Sequence, residues 1–170
     1  MAPDRLWAPW RIGFILAPKA GGCFLCDHPA ESDDAAHLIL ERRTTGYVVL
    51  NRFPYNNGHL LVAPYRHVAD LAGLTADELR ELFELTRDWV EVLRRALNPH
   101  GFNIGMNLGE VAGAGVPGHV HMHVVPRWSG DVNFLSAIAD TRLINQSLEE
   151  CYRLLAQTRR RPAGSGGGEP

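Results

Sequence analysis

The sequence predicts an α+β domain with a mostly antiparallel sheet of about five strands, one long helix and a C-terminal helix. Three observations lead there. Short β-rich runs follow one another closely and are joined by a Pro/Asn/Gly turn. A long amphipathic segment comes next, opened by a capping signature. Two further strand-like runs follow it, and the second carries alternating histidines. A parallel doubly wound sheet would need more helices between its strands.

Residues 1–20 carry Trp7, Trp10, Pro3, Pro9 and Pro18 without a clear period, and read as an ordered arm that packs aromatics on the domain. His37–Leu40 and Gly46–Asn51 read as strands, the second through Tyr47, Val48, Val49 and Leu50. Phe53-Pro54-Tyr55-Asn56-Asn57-Gly58 is a turn or loop. His59–Ala63 resumes as a strand, and Pro64 closes it. Thr75-Ala76-Asp77-Glu78 is a capping box for the longest helix. Its apolar positions include Leu79, Leu82, Phe83, Val90, Leu93 and Leu97, and Asn98-Pro99 stops it. Gly101–Met106 reads as a strand, residues 109–118 as a Gly-rich loop, and roughly 145–158 as a final helix. The single domain therefore spans 1–158, and 159–170, ending GSGGGEP, is a flexible tail.

The chain has 170 residues, enough for one domain with a sizeable core. Its net charge of −2 leaves no overall basic footprint for nucleic acid. No apolar stretch approaches a membrane span, and the start lacks the apolar region of a secretory signal. Cys23 and Cys26 form a CxxC, while Cys151 stands alone in a helix-like run as a small core residue. An odd cysteine count without a disulfide-dense pattern points to the cytoplasm.

Residues 118–128 read GHVHMHVVPRW. On a strand, His119, His121 and His123 share one face, and Val120, Met122 and Val124 go to the other. Pro126 is expected to end the run, because it has no N–H for a ladder. Alternating histidines suit a metal site or nucleophilic catalysis by imidazole; a merely polar surface strand is the bland reading. The CxxC has metal-ligand spacing, with redox activity as the alternative.

His119-Val120-His121-Met122-His123-Val124-Val125 resembles the histidine-triad (HIT) pattern. Leu50-Asn51-Arg52 and Gly58-His59-Leu60-Leu61-Val62 resemble its fragile-histidine-triad branch, as GFNIGMNLG (101–109) resembles the strand and loop before the triad. LWAPWR (6–11) is similar to bacterial members related to diadenosine tetraphosphate hydrolases and phosphorylases. The resemblance implies a homodimer that binds a nucleotide or dinucleotide and cleaves dinucleoside polyphosphates through a nucleotidyl-histidine. It makes His121 the nucleophile, with His123 and His59 near the phosphate and sharing its charge. It places Asn51 on the ribose and Asn107 near the phosphates.

Imidazole chemistry agrees, since an ordinary pKa near 6.5 leaves much of the ring neutral at pH 7. A protonated neighbour could offset phosphoryl charge. The Gly-rich loop, through Gly113 and Gly115, can offer backbone N–H groups to phosphate. Many family members carry Gln or Ser/Thr in that loop. Here Gly113-Ala114-Gly115-Val116-Pro117-Gly118 has no polar side chain, which leaves backbone groups, Glu110 or water to assist the leaving group.

The resemblance also supplies a ligand set. Zinc-bearing members take one histidine from the loop after the GH strand and one from the start of the triad. That gives Cys23, Cys26, His67 and His119 as a structural zinc site, with His28, His37 and His100 as surface or loop histidines. A homodimer would also cover Leu85, Trp89 and Val92, which lie beyond one apolar stripe of the long helix. Alternatives are a phosphate-dependent phosphorylase, a nucleoside phosphoramidase, a nucleotide-binding sensor with slow turnover, and a redox or metal-storage protein.

Overall fold

The computed structural model describes residues 22–116, 118–131 and 146–161. The arm at 1–20, Pro117 and the end of the tail lie outside them. Helix α1 (Phe24–Ala30) starts directly after Cys23, whose carbonyl accepts the N–H of Cys26 and Asp27. Strands β1 (Ile39–Arg42), β2 (Gly46–Leu50) and β3 (Leu60–Pro64) follow. Helix α2 (Ala76–Leu97) crosses to β4 (Gly101–Gly105), and β5 (Met122–Arg127) and α3 (Leu148–Arg160) complete the order. The strands form one sheet in the order β1-β2-β3-β5-β4, every neighbouring pair antiparallel. The α+β architecture with a five-stranded antiparallel sheet, one long helix and a C-terminal helix is as expected.

Local chemistry explains most boundaries. Both halves of the Thr75/Glu78 capping box form, and Asn98 ends α2 in the left-handed conformation that Asn tolerates. Ser147 and Glu150 cap α3 in the same way. Leu38 takes φ 60, so β1 starts at Ile39 rather than His37 and runs on to Arg42. Leu82, Leu85, Trp89 and Leu93 of α2 pack into one core with Val48, Leu60, Val62, Val124 and Leu155. Cys151 is buried in that core, as expected.

Several sequence expectations are corrected. Pro126 does not end the histidine strand but lies inside β5. There β3 has already ended: it pairs β5 only from Met122 to Val124, so Pro126 has β4 alone beside it through Phe102. The strand also starts late, at Met122. His119 and Val120 instead bond to loops, His119 N–H to Val116 O and Val120 N–H to Val68 O. Phe83 is exposed rather than part of the core stripe. Leu85, Trp89 and Val92 need no partner subunit, because the same chain buries all three. The last helix runs through Arg160, so Arg159 and Arg160 belong to α3 and not to a tail. No described helix is long and apolar enough to cross a membrane.

Candidate active site

β3 and β5 bring His59 and His123 side by side, with Leu61 opposite His123. The proton positions follow from donors that have no choice. Tyr55 N–H donates to His59 Nδ1 at 3.0 Å, and the Asn51 amide donates to the same nitrogen at 3.1 Å. Asn51 Oδ1 meanwhile accepts Phe53 N–H, which orients that amide. His59 therefore carries its proton on Nε2 and donates it to His123 Nδ1 at 2.9 Å. His123 in turn carries its proton on Nε2, a buried atom with no hydrogen-bond partner among the described residues.

His121 is held differently. Its Nδ1–H donates to His119 O at 2.8 Å, which leaves the Nε2 lone pair as the nucleophilic one. The His121 and His123 rings lie edge-on, 4.8 Å apart. Burial lowers the pKa of His121. Burial, then the neighbouring imidazoles, lowers His59 to about 3; burial, then His121, lowers His123 to about 4. Both rings are neutral, and they present a lone pair at His121 beside an N–H at His123.

The remaining triad member turns away. His119 Nε2–H donates to Pro64 O at 2.9 Å, and its Nδ1 faces two thiols: Cys23 Sγ at 3.4 Å and Cys26 Sγ at 3.3 Å. His67 Nδ1 lies 3.3 Å from Cys26 Sγ. All four ligand atoms fall within 4.8 Å of one another. Tetrahedral bonds of roughly 2.3 Å to sulfur and 2.0–2.1 Å to nitrogen place such ligands about 3.5 Å apart, so the cluster has the composition and spacing of a closed four-ligand site. The Pro64 carbonyl is the outer partner that fixes a metal-binding histidine's tautomer. Burial and the adjacent Cys23 push the Cys26 thiol up to about 11, so without a cation that thiol stays protonated at neutral pH.

The supports of this cluster are specific. Tyr47 O–H donates to Leu25 O and ties α1 to the sheet. Arg66 makes two bonds to Glu78 and one to Gly73 O, holding the His67 loop on the first turn of α2. That guanidinium keeps the Glu78 carboxyl down at about 2. A Cβ on Gly118 would stand 2.9 Å from His67 Nε2, so the chain passes too close to His67 for any side chain there.

Beyond His123 an open pocket of about 270 Å³ has walls that include Tyr55, Asn103, Gly105, Asn107 and Val125.

A family model for the HIT domain matches residues 33–130. The chain belongs to the HIT domain family. It is 41% identical over 161 residues to an AP-4-A phosphorylase of Mycobacterium tuberculosis, covering 90% of this chain and 83% of the relative. It is 40% identical over 93 residues to an asymmetrical bis(5'-nucleosyl)-tetraphosphatase of Schizosaccharomyces pombe, covering 55% of this chain and 50% of that one. Among solved structures, a Zn-bound histidine triad family protein from Mycobacterium smegmatis superposes with a TM-score of 0.67 at 28% identity, covering 82% of this chain and 94% of that chain.

Within this HIT fold the expected residues fall into two groups. His59, His121 and His123 come together, with Asn51 against His59; Cys23, Cys26, His67 and His119 form the second cluster. Asn107 lines the pocket and donates to Gly113 O at 3.4 Å. Gly113 is corrected as a phosphate donor: its N–H is already given to Glu110 O, and its φ of 83 is what glycine supplies there. Gly115 is not a wall of the pocket. His28 and His37 stack on each other and His100 pairs with Ser129, away from both clusters.

Sequence reasoning missed Tyr55, Asn103 and Gly105. The signal was present as a period of two in Asn103, Gly105 and Asn107, which the Gly105–His123 register places beside the triad.

Proposed function

We propose that this HIT domain protein is an enzyme that transfers a nucleotidyl group from dinucleoside polyphosphates, such as diadenosine tetra- or triphosphate, through a covalent nucleotidyl-histidine. One observation carries the reading: the acceptor lone pair of His121 stands beside the buried N–H of His123, which has no partner among the described residues. His121 Nε2 attacks the α-phosphorus, and an Nε2–P bond forms as the bond to the bridging oxygen breaks. The electron pair leaves with that oxygen, which departs as a phosphate anion and accepts a hydrogen bond from His123 Nε2–H as its charge develops. An acceptor then attacks the phosphorus and loses its proton to solvent, and the Nε2–P bond breaks with its electron pair returning to His121. The His123 N–H supplies the leaving-group help that the apolar Gly113–Gly118 loop lacks. Asn51 holds the ribose with the lone pair its turn does not use, and Asn107 lies on the phosphate side.

Water as acceptor makes a hydrolase; inorganic phosphate makes a phosphorylase. The phosphorylase form is favoured by the 41% identity to the Mycobacterium tuberculosis AP-4-A phosphorylase. Products from diadenosine tetraphosphate, with and without phosphate, distinguish the two, since release of a nucleoside diphosphate that requires phosphate identifies the phosphorylase. His121→Ala is expected to abolish turnover while nucleotide binding survives. More than about a tenth of wild-type rate remaining would remove the covalent step.

The same reading gives Cys23, Cys26, His67 and His119 one zinc ion, supported by the donor geometry and by the Zn-bound Mycobacterium smegmatis structure. Bound there, zinc would be structural, joining α1, the His67 loop and the start of the triad. Free thiols serving as ligands fit the cytoplasm. A homodimer is supported by the resemblance and by the outer edge of β4, which pairs with no strand on its far side among the described residues. Leu108 and Val111 are exposed just beyond it.

A further inference from the structure

The pocket beside His123 has a task that the nucleophilic chemistry leaves unassigned. His121 precedes His123 along the chain, and the pocket is walled by His123 and Val125 but not by His121. Asn51 lies against His59, whose other ring nitrogen bonds to His123. In sheet order the ribose residue of β2's end, His59, His123 and the β4 wall therefore follow one another. A group displaced in line from His121 passes the His123 N–H and enters this space. At about 270 Å³ it lies just under the ~300 Å³ at which sites for whole small ligands begin. It suits one nucleoside and not a complete dinucleotide.

Its walls have the chemistry for a nucleoside. Tyr55 stacks on His123, centroids 5.7 Å apart at 21°, and half of the residue is exposed. A purine stacks on such a surface. Asn103 adds direction. Arg127 holds Asp131 through Nε and Nη2, and its Nη1 donates to Asn103 Oδ1 at 2.6 Å. A guanidinium has only donors, so the amide oxygen must face it and the amide nitrogen faces away as a donor. Asp131 also accepts from Asn56, which ties this clasp to the loop carrying Tyr55. Gly105, directly across from His123, keeps the space open: a Cβ there would meet nothing within 4 Å.

We propose that this pocket is the subsite for the nucleoside of the leaving nucleotide, with Tyr55 as the stacking wall, Asn103 as the directional donor and Gly105 as the opening. The proposal rests on the nucleotidyl-transfer reading and explains how one chain would prefer a dinucleotide to a mononucleoside polyphosphate.

The test compares Gly105→Val and Asn103→Ala with wild type on two substrates, diadenosine tetraphosphate and adenosine tetraphosphate. The second carries the same attacked nucleotide without the second nucleoside. The ratio of kcat/KM values, dinucleotide over mononucleotide, is expected to fall about tenfold in each variant. Thermal unfolding of Gly105→Val is expected to match wild type, because a Cβ at this position meets no protein atom within 4 Å. Equal losses on both substrates, or no loss on either, overturn the subsite. Competition binding to His121→Ala protein separates the two claims. If wild type turns over neither substrate, the transfer reading fails. A binding preference for the dinucleotide that Gly105→Val removes still upholds the subsite, and no preference in binding overturns it.

Discussion

His59 and His123 are neutral because each is buried beside other imidazoles, and their tautomers are set by groups that can only donate. Tyr55 N–H and the Asn51 amide fix His59, and His59 fixes His123. This has a consequence for pH. The unfolded chain protonates its histidines near 6.5, whereas the folded pair waits until about 3 and about 4. Between those values the unfolded state binds more protons. Stability is therefore full above about pH 6.5 and falls as pH drops toward 4 and then 3, by up to about 1.4 kcal/mol per pH unit per group. Melting temperatures at pH 7, 6 and 5 should decline, and the decline should be shallower in His59→Asn. An identical slope in that variant would show that other groups cause it. The acid limb of kcat/KM should likewise lie below the ordinary imidazole value.

The elements meet at two junctions, and the cluster of Cys23, Cys26, His67 and His119 is one of them. It ties α1, the loop after β3 and the segment before β5, which are far apart in the chain. A site of this kind contributes its binding energy to folding. Chelation, or Cys26→Ser, is expected to lower the melting temperature while nucleotide affinity changes much less. Elemental analysis should find one zinc per chain; metal-free protein of full stability would remove the site. The capping boxes at Thr75 and Ser147 were legible from spacing alone, because a cap is a contact within four residues. The start of the triad strand was not. Alternation correctly sent Val120, Met122 and Val124 to the core, yet the ladder with β3 begins only at Met122, because His119 and Val120 give their N–H groups to Val116 and Val68 in loops.

For the whole molecule the second junction is Glu41. Its carboxylate accepts from Trp89 on α2, from Arg43, and twice from Arg159 on α3. The arginine bonds and Trp89 lower its pKa against a burial effect that acts the other way. Glu41→Ala leaves Trp89 N–H and the Arg159 guanidinium without their acceptor and Arg43 with Asp88 alone, at a cost of about 3 kcal/mol. Urea denaturation should show that loss as a lower midpoint with an unchanged slope. Light scattering at micromolar concentration is expected to give the mass of a dimer, and a monomer would remove that assembly. Leu85, Trp89 and Val92 no longer bear on it, since the protomer covers them itself.

What the sequence by itself determined was whatever depends on neighbours in the chain. It carried the α+β order, the capped long helix, the CxxC spacing and the alternation that marks His119, His121 and His123. The family resemblance added the division of these residues into a reacting group and a ligand group. Tertiary structure decided the rest. Which imidazole nitrogen keeps its proton depends on Tyr55, Asn51, Pro64 and His59, and the His123 chain of donors closes only when β3 and β5 pair. The Gly105–His123 register opens the pocket, and the clasp through Glu41 closes the second face of α2. Periodicity encodes which face a side chain takes; it carries no information about the distant segment that will meet that face.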